Sequence, residues 1–182
     1  MAAVPPVCDF GWKALDFSLR ATDGKDYCLE DVRNDKGLVV AFICNHCPYV
    51  RSVAGRIAEE AKALAELGIG FAAICSNDAI AYPQDSFERM GEFAAAHGFS
   101  FPYLHDKTQE IAKGYGAVCT PDFFGFNADL ELQYRGRLDA SQTTRLEGVR
   151  RDLFEAMEEI ARSGMGPKEQ NASMGCSIKW KA

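Results

Sequence analysis

Apolar and polar positions along the 182-residue chain alternate in blocks whose period switches between that of a strand and that of a helix. Leu15, Phe17 and Leu19 alternate with polar neighbours, Thr22-Asp23-Gly24-Lys25 supplies turn chemistry, and Tyr27 and Leu29 resume the alternation, which predicts an N-terminal β-hairpin. Leu38 to Cys44 is short, rich in β-branched residues and apolar throughout, the pattern of a central strand covered on both faces. From Val50 the period becomes helical through Val53, Ile57, Ala61, Leu64 and Ala65, and Gly68 stops it. Ile69 to Cys75 reads as a second strand, and Phe87, Met90, Ala94 and His97 mark a helix that ends at Gly98. Strand, helix, strand, helix is the order of parallel pairing through right-handed crossovers.

A short segment at Phe101 to Leu104 and a helix near Gln109 to Lys113 follow. Phe123 to Phe126, a turn at Asn127-Ala128-Asp129, and Leu132 with Tyr134 then predict an antiparallel hairpin. Thr143 or Thr144 is placed to cap a last helix with Leu146, Val149, Leu153, Met157 and Ile160 on one face. The expected class is α/β: three layers, α/β/α, around a mixed sheet extended by the N-terminal hairpin. The expected organisation is an extension over 1–14, one domain over 15–163 and an irregular tail over 164–182.

Twenty basic against 26 acidic residues give a net charge of −6 without a basic cluster, which excludes a nucleic-acid face. The longest apolar run falls far short of the ~18 residues of a membrane span, so no membrane association is expected. The first residues lack a basic start followed by an apolar stretch, which makes the cytoplasm the expected location. Seven scattered cysteines, an odd number, do not form a disulfide framework.

Cys44-Asn45-His46-Cys47-Pro48 lies between the first buried strand and the helix after it. With Cys44 as helix N-cap, backbone amides and the positive helix end would favour its thiolate, moving the pKa from about 8.5 into the range ~3.5–7.5. Cys44 is therefore the expected attacking thiolate, and Cys47, one turn inward, the thiol that resolves a mixed disulfide. Pro48 suits the first turn of a helix. Asn45 and His46 are the modulating residues: a protonated His46 stabilises the thiolate, whereas an exposed one has no electrostatic role. A structural zinc needs four ligands, and without a second C-x-x-C or an H-x-x-x-H no metal is assigned. Thr120-Pro121 stands just before the predicted hairpin, and X-Pro is the only common site of a cis bond.

Cys44 and Cys47 ahead of a helix, with Thr120-Pro121 before a hairpin and a final helix, resemble the thioredoxin fold of the redoxin superfamily. Leu15-Asp16-Phe17-Ser18-Leu19 with Asp23-Gly24-Lys25, Phe101-Pro102-Tyr103-Leu104-His105-Asp106 and Ile111-Ala112-Lys113-Gly114-Tyr115-Gly116 resemble its peroxiredoxin-like branch, the alkyl hydroperoxide reductase and thiol-specific antioxidant relatives. The resemblance spans about Leu15 to Arg162. It implies that Pro121 is a cis-proline facing the cysteine pair and that Thr120 lines the same substrate groove. True peroxiredoxins carry Pro-x-x-x-Thr/Ser-x-x-Cys. Counted back from Cys47, that motif puts Cys44 at the hydroxyl position and Val40 at the proline, which favours dithiol chemistry over a peroxidase.

The expected function is thus a thiol-disulfide oxidoreductase using Cys44 and Cys47. It requires no metal or organic cofactor, because the dithiol itself carries the electrons. Its expected partners are protein or low-molecular-weight thiols and disulfides together with a cellular thiol reductant. The alternatives are a thiol peroxidase with antioxidant activity, or a metal-carrying or redox-sensing module. Two further cysteines are candidate third thiols. Cys119, two residues before Pro121, is otherwise a small buried hydrophobe. Cys176, in Gly175-Cys176-Ser177-Ile178-Lys179-Trp180, is otherwise part of a docked tail. Arg135 and Arg137 read as a solvated strand edge.

Overall fold

The computed structural model describes residues 2–182. Ala2–Ala3 (β1) comes first, and Ser18–Ala21 (β2) and Asp26–Cys28 (β3) form the expected hairpin. Its turn uses Gly24 at φ 84°, a left-handed conformation, and the Asp23 carboxylate accepts the Lys25 amide at 2.9 Å. Leu29–Val32 (α1), Gly37–Phe42 (β4), Pro48–Glu66 (α2) and Ile69–Cys75 (β5) follow. A 3-10 turn at Pro83–Asp85 leads into Phe87–Ala96 (α3), whose N-cap Ser86 accepts the Arg89 amide. Next come Tyr103–His105 (β6), Glu110–Tyr115 (α4), Cys119–Thr120 (β7), Asp122–Phe126 (β8) and Leu132–Gly136 (β9). Asp152–Ser163 (α5) and Gly175–Ser177 (β10) complete the order.

Seven strands make the central sheet in the order β3-β2-β6-β5-β4-β8-β9, parallel where β6, β5 and β4 meet and antiparallel elsewhere. The continuous apolar character of β4 has a simple cause. Val39 and Ala41 face one hydrophobic cluster, with Val50, Ile57 and Leu64 of α2 and Leu153, Met157 and Ile160 of α5. Leu38, Val40 and Phe42 face the other, with Leu29 and Val32 of α1 and Ala112 and Tyr115 of α4. Each fully buried Val, Leu, Ile or Phe contributes about 1.5–3 kcal/mol, so burial on both faces fixes the three layers. The mixed α/β/α architecture is the expected one. Among the described residues no helix is long and apolar enough to cross a membrane.

Three expectations need correction. The last helix begins at Asp152 behind Arg151, not at Thr143 or Thr144. Gly148 adopts φ 68°, which breaks a helical path, and Leu146 is 44% exposed instead of facing the core. Arg135 is no solvated edge: it is buried, 3.0 Å from Asp122, with its guanidinium 4.5 Å from the Phe124 ring centroid. The segment after α5 is not wholly irregular. It contributes β10, the middle strand of a second antiparallel sheet, β1-β10-β7. Beyond β10 the Ile178 side chain is buried, and the Lys113 ammonium lies 5.7 Å from the Trp180 ring centroid.

Candidate functional site

Strands β4 and β5 end side by side next to the antiparallel β8, and the chain beyond their carboxyl ends forms the site. Helix α2 starts at Pro48, and its N-cap is Cys47, not Cys44. The physical reason is Pro48, which lacks an N–H and holds Cys47 in an extended conformation (ψ 124°), so the helix cannot begin earlier. The first turn contains no acidic residue, which leaves the positive helix end free to stabilise a thiolate.

Cys44 and Cys47 are both buried, at 1% and 0% exposure, beneath Thr120. The Thr120 hydroxyl lies 3.3 Å from Cys44 Sγ. As a thiol Cys47 donates to the Thr120 carbonyl at 3.2 Å. The Thr120-Pro121 bond is cis. Their surroundings then separate the two sulfurs electrically. The neighbouring Cys47 sulfur, burial and the charge of Asp85 all favour the protonated form of Cys44, raising its pKa well above the usual thiol value. Cys44 in turn favours the thiolate of Cys47, with further help from Cys176 and the Val50 amide against the cost of burial, and the Cys47 pKa falls to about 5. The surroundings thus favour the thiolate at Cys47 over Cys44.

This predicts a pH profile. Only the thiolate reacts, so Cys47 alkylation by iodoacetamide, followed by peptide mass, should be flat near neutrality and fall with a midpoint near 5 as the pH drops. Cys44→Ala removes the neighbour that lowers the Cys47 pKa most and should move the midpoint upward. An unchanged midpoint would show that Cys44 does not set it.

A residue that the sequence did not single out organises the loop. Asp85, fully buried, accepts four hydrogen bonds. Oδ1 takes the amides of Asn45 (2.8 Å) and His46 (3.3 Å), and Oδ2 takes Asn77 Nδ2 (2.8 Å) and His46 Nδ1 (2.6 Å). Because a carboxylate only accepts, His46 carries its proton on Nδ1. The imidazole also stacks on Tyr82 at 5.6 Å between centroids. Asn45 is held as well, receiving the Tyr103 hydroxyl at 2.9 Å and donating to the Gln84 carbonyl at 3.0 Å. Asn45 and His46 thus anchor the loop between the two cysteines. The residue types around Asp85 carry only a slight signal: Pro83 opens the 3-10 turn and Ser86 caps α3.

Cys44 Sγ, His46 Nδ1 and an Asp85 oxygen lie within 4.8 Å of one another and could offer three ligands to a metal ion. Both Asp85 oxygens are already engaged by donors, so metal binding would have to displace them. Cys119 is buried, and burial raises its pKa. Cys75, also buried, is pushed up to about 12 by the same effect. Cys176 is half-buried on β10, paired with Thr120. A cleft beside Pro121 is bordered by Tyr49, Leu138, Ser173 and Met174.

The AhpC/TSA family model matches residues 10–136. No curated protein matches the chain. Among solved structures, an uncharacterized conserved protein from Geobacillus kaustophilus is 42% identical, with TM-score 0.93 over 100% of this chain and 97% of that one. A hypothetical protein from Sinorhizobium meliloti 1021 is 37% identical, with TM-score 0.93 over 98% of each chain. The thioredoxin domain of a thiol-disulfide oxidoreductase from Bacteroides vulgatus is 14% identical, with TM-score 0.64 over 84% of this chain and 97% of that one, a likeness of fold. With the family match running from the N-terminal hairpin through β9, the chain belongs to the AhpC/TSA family and has a thioredoxin fold.

Proposed function

We propose that the protein is a thiol-disulfide oxidoreductase whose redox centre is the Cys44 and Cys47 pair. The observation that carries this reading is the meeting of two buried sulfurs at the N-terminus of α2 beside the cis Thr120-Pro121 bond, Cys44 Sγ 3.3 Å from the Thr120 hydroxyl and Cys47 Sγ 3.2 Å from its carbonyl. Such a pair supplies both a nucleophile and the thiol that resolves its mixed disulfide. The ionisation order reverses the roles expected from sequence. Cys47 attacks a disulfide substrate, releasing one thiol and forming a mixed disulfide, and Cys44 then displaces the second thiol and closes the Cys44–Cys47 bond. Cys44 occupies the position of the hydroxyl in the peroxiredoxin motif, beside the Cys47 sulfur whose thiolate it favours.

Asn45 and His46 tune the pair by holding its loop on Asp85, while Thr120 and Pro121 form the wall of the substrate groove. The substrates are protein or low-molecular-weight thiols and disulfides, and a thiol reductant of the cytoplasm restores the dithiol without metal or organic cofactor. A peroxidase is the second reading, favoured by the low pKa of Cys47. Equilibration in glutathione buffers with peptide mapping tests the dithiol. Cys44 and Cys47 are expected to interconvert as a couple between about −120 and −270 mV. Fast peroxide consumption through a sulfenic acid on Cys47, with no Cys44–Cys47 bond, would establish the peroxidase instead.

A further inference from the structure

The sulfurs of the pair are closed to solvent, yet a third sulfur stands over them. Strand β10 lies antiparallel on β7, with Cys176 opposite Thr120 and Ser177 opposite Cys119. Thr120 is the residue whose carbonyl and hydroxyl contact Cys47 and Cys44, so this register sets Cys176 directly beside the pair. The approach is tight, since a Cβ on Gly175 would lie 1.9 Å from the Thr120 oxygen. The contact continues past the strand. The Ile178 amide donates to the Val118 carbonyl at 3.0 Å, and the Lys179 amide donates to Asn77 Oδ1 at 2.8 Å. Asn77 is one of the four donors on Asp85, so the tail grips both walls of the site. Cys176 packs against the cluster that contains Cys44 and Cys47, but it keeps partial exposure where they have none.

We propose that Cys176 is a third redox thiol, which exchanges with the Cys44–Cys47 disulfide and carries the oxidised bond from the buried pair to the half-exposed strand β10. The proposal rests on the dithiol reading above. The Cys176 sulfur attacks Cys47 Sγ, the Cys44–Cys47 bond breaks, the Cys47–Cys176 bond forms, and the proton of Cys176 passes to Cys44. One disulfide and one thiol stand on each side of the step, so no further oxidant is required. The proton that Cys176 gives up on attack is taken by Cys44 as it leaves, so no net charge is added at the buried position. Strand β10 also fills the backbone edge of β7, where an added peptide strand would otherwise pair. Electrons from a reductant therefore reach the pair through the chain's own strand.

The full-length protein is oxidised with glutathione disulfide, its disulfides are mapped, and its reduction by glutathione is timed. Wild type is expected to contain both Cys44–Cys47 and Cys47–Cys176. Cys44→Ser should contain only Cys47–Cys176. Cys176→Ser and Cys176→Ala should contain only Cys44–Cys47 and be reduced about tenfold more slowly than wild type, a difference that vanishes in urea. Circular dichroism identical to wild type shows that the variants are folded. If Cys44–Cys47 forms but Cys47–Cys176 is absent from both wild type and Cys44→Ser, or if reduction of Cys176→Ser is as fast as wild type, the relay is overturned and the dithiol stands. If Cys44–Cys47 fails to form even in Cys176→Ser, the dithiol reading falls, and the relay with it.

Discussion

Cys47→Ser is expected to lower thiol-disulfide exchange at least about a thousandfold, because a serine hydroxyl does not ionise near neutrality and no other sulfur in the pair favours the thiolate. Cys44→Ser is expected to behave differently. Cys47 still attacks, so the first thiol is released in a stoichiometric burst while later turnover slows. Stopped-flow release of a fluorescent thiol, followed by intact mass, separates the two. A mixed disulfide that accumulates on Cys44 in Cys47→Ser, with no burst from Cys44→Ser, would return the attacking role to Cys44.

Asp85→Ala is expected to destabilise the fold by about 3–5 kcal/mol, because it strands four donors at a fully buried position. Part of the loss is recovered in Asp85→Asn, whose amide oxygen still accepts but whose NH2 faces groups that donate. Urea denaturation at neutral pH measures both. A change below about 1 kcal/mol for the alanine variant would mean that solvent replaces the carboxylate and that the loop is anchored elsewhere. The same variants should loosen Asn45 and His46, so the potential of the cysteine pair is expected to move with the stability.

The legible part of this molecule is the part with repetition in it. Ile69 to Cys75 and the face from Val50 to Leu64 announce their elements because several apolar residues repeat one period, and the cores they enter lie where that period points. The cysteine pair and Thr120-Pro121 were readable as residue types, and the fold brings them within hydrogen-bond distance. What stayed hidden has no period. Strands β1, β7 and β10 are two or three residues long, too short for any alternation to register. Asp85 is one acid in a polar loop, and only the turn after β5 delivers it to amides 40 residues earlier. Leu146 and Val149 mimic a helical face, but Gly148 between them turns the backbone left-handed. Arg135 looks exposed in sequence because its partner, Asp122, belongs to the neighbouring strand. The cap was misplaced for a local reason: Pro48 dictates where α2 starts, and the rule that Pro48 fits the first turn puts Cys47, not Cys44, at the cap.

Trp180, four residues beyond Cys176, is 41% exposed and lies under the Lys113 ammonium, whereas the other tryptophan, Trp12, packs edge-on against Tyr115 at 5.2 Å. The end of the chain therefore carries its own optical probe. In Trp12→Phe the remaining indole emission isolates the environment of the segment that bears Cys176, so a spectral shift on oxidation reads the seating of that strand in real time, without label or added chromophore.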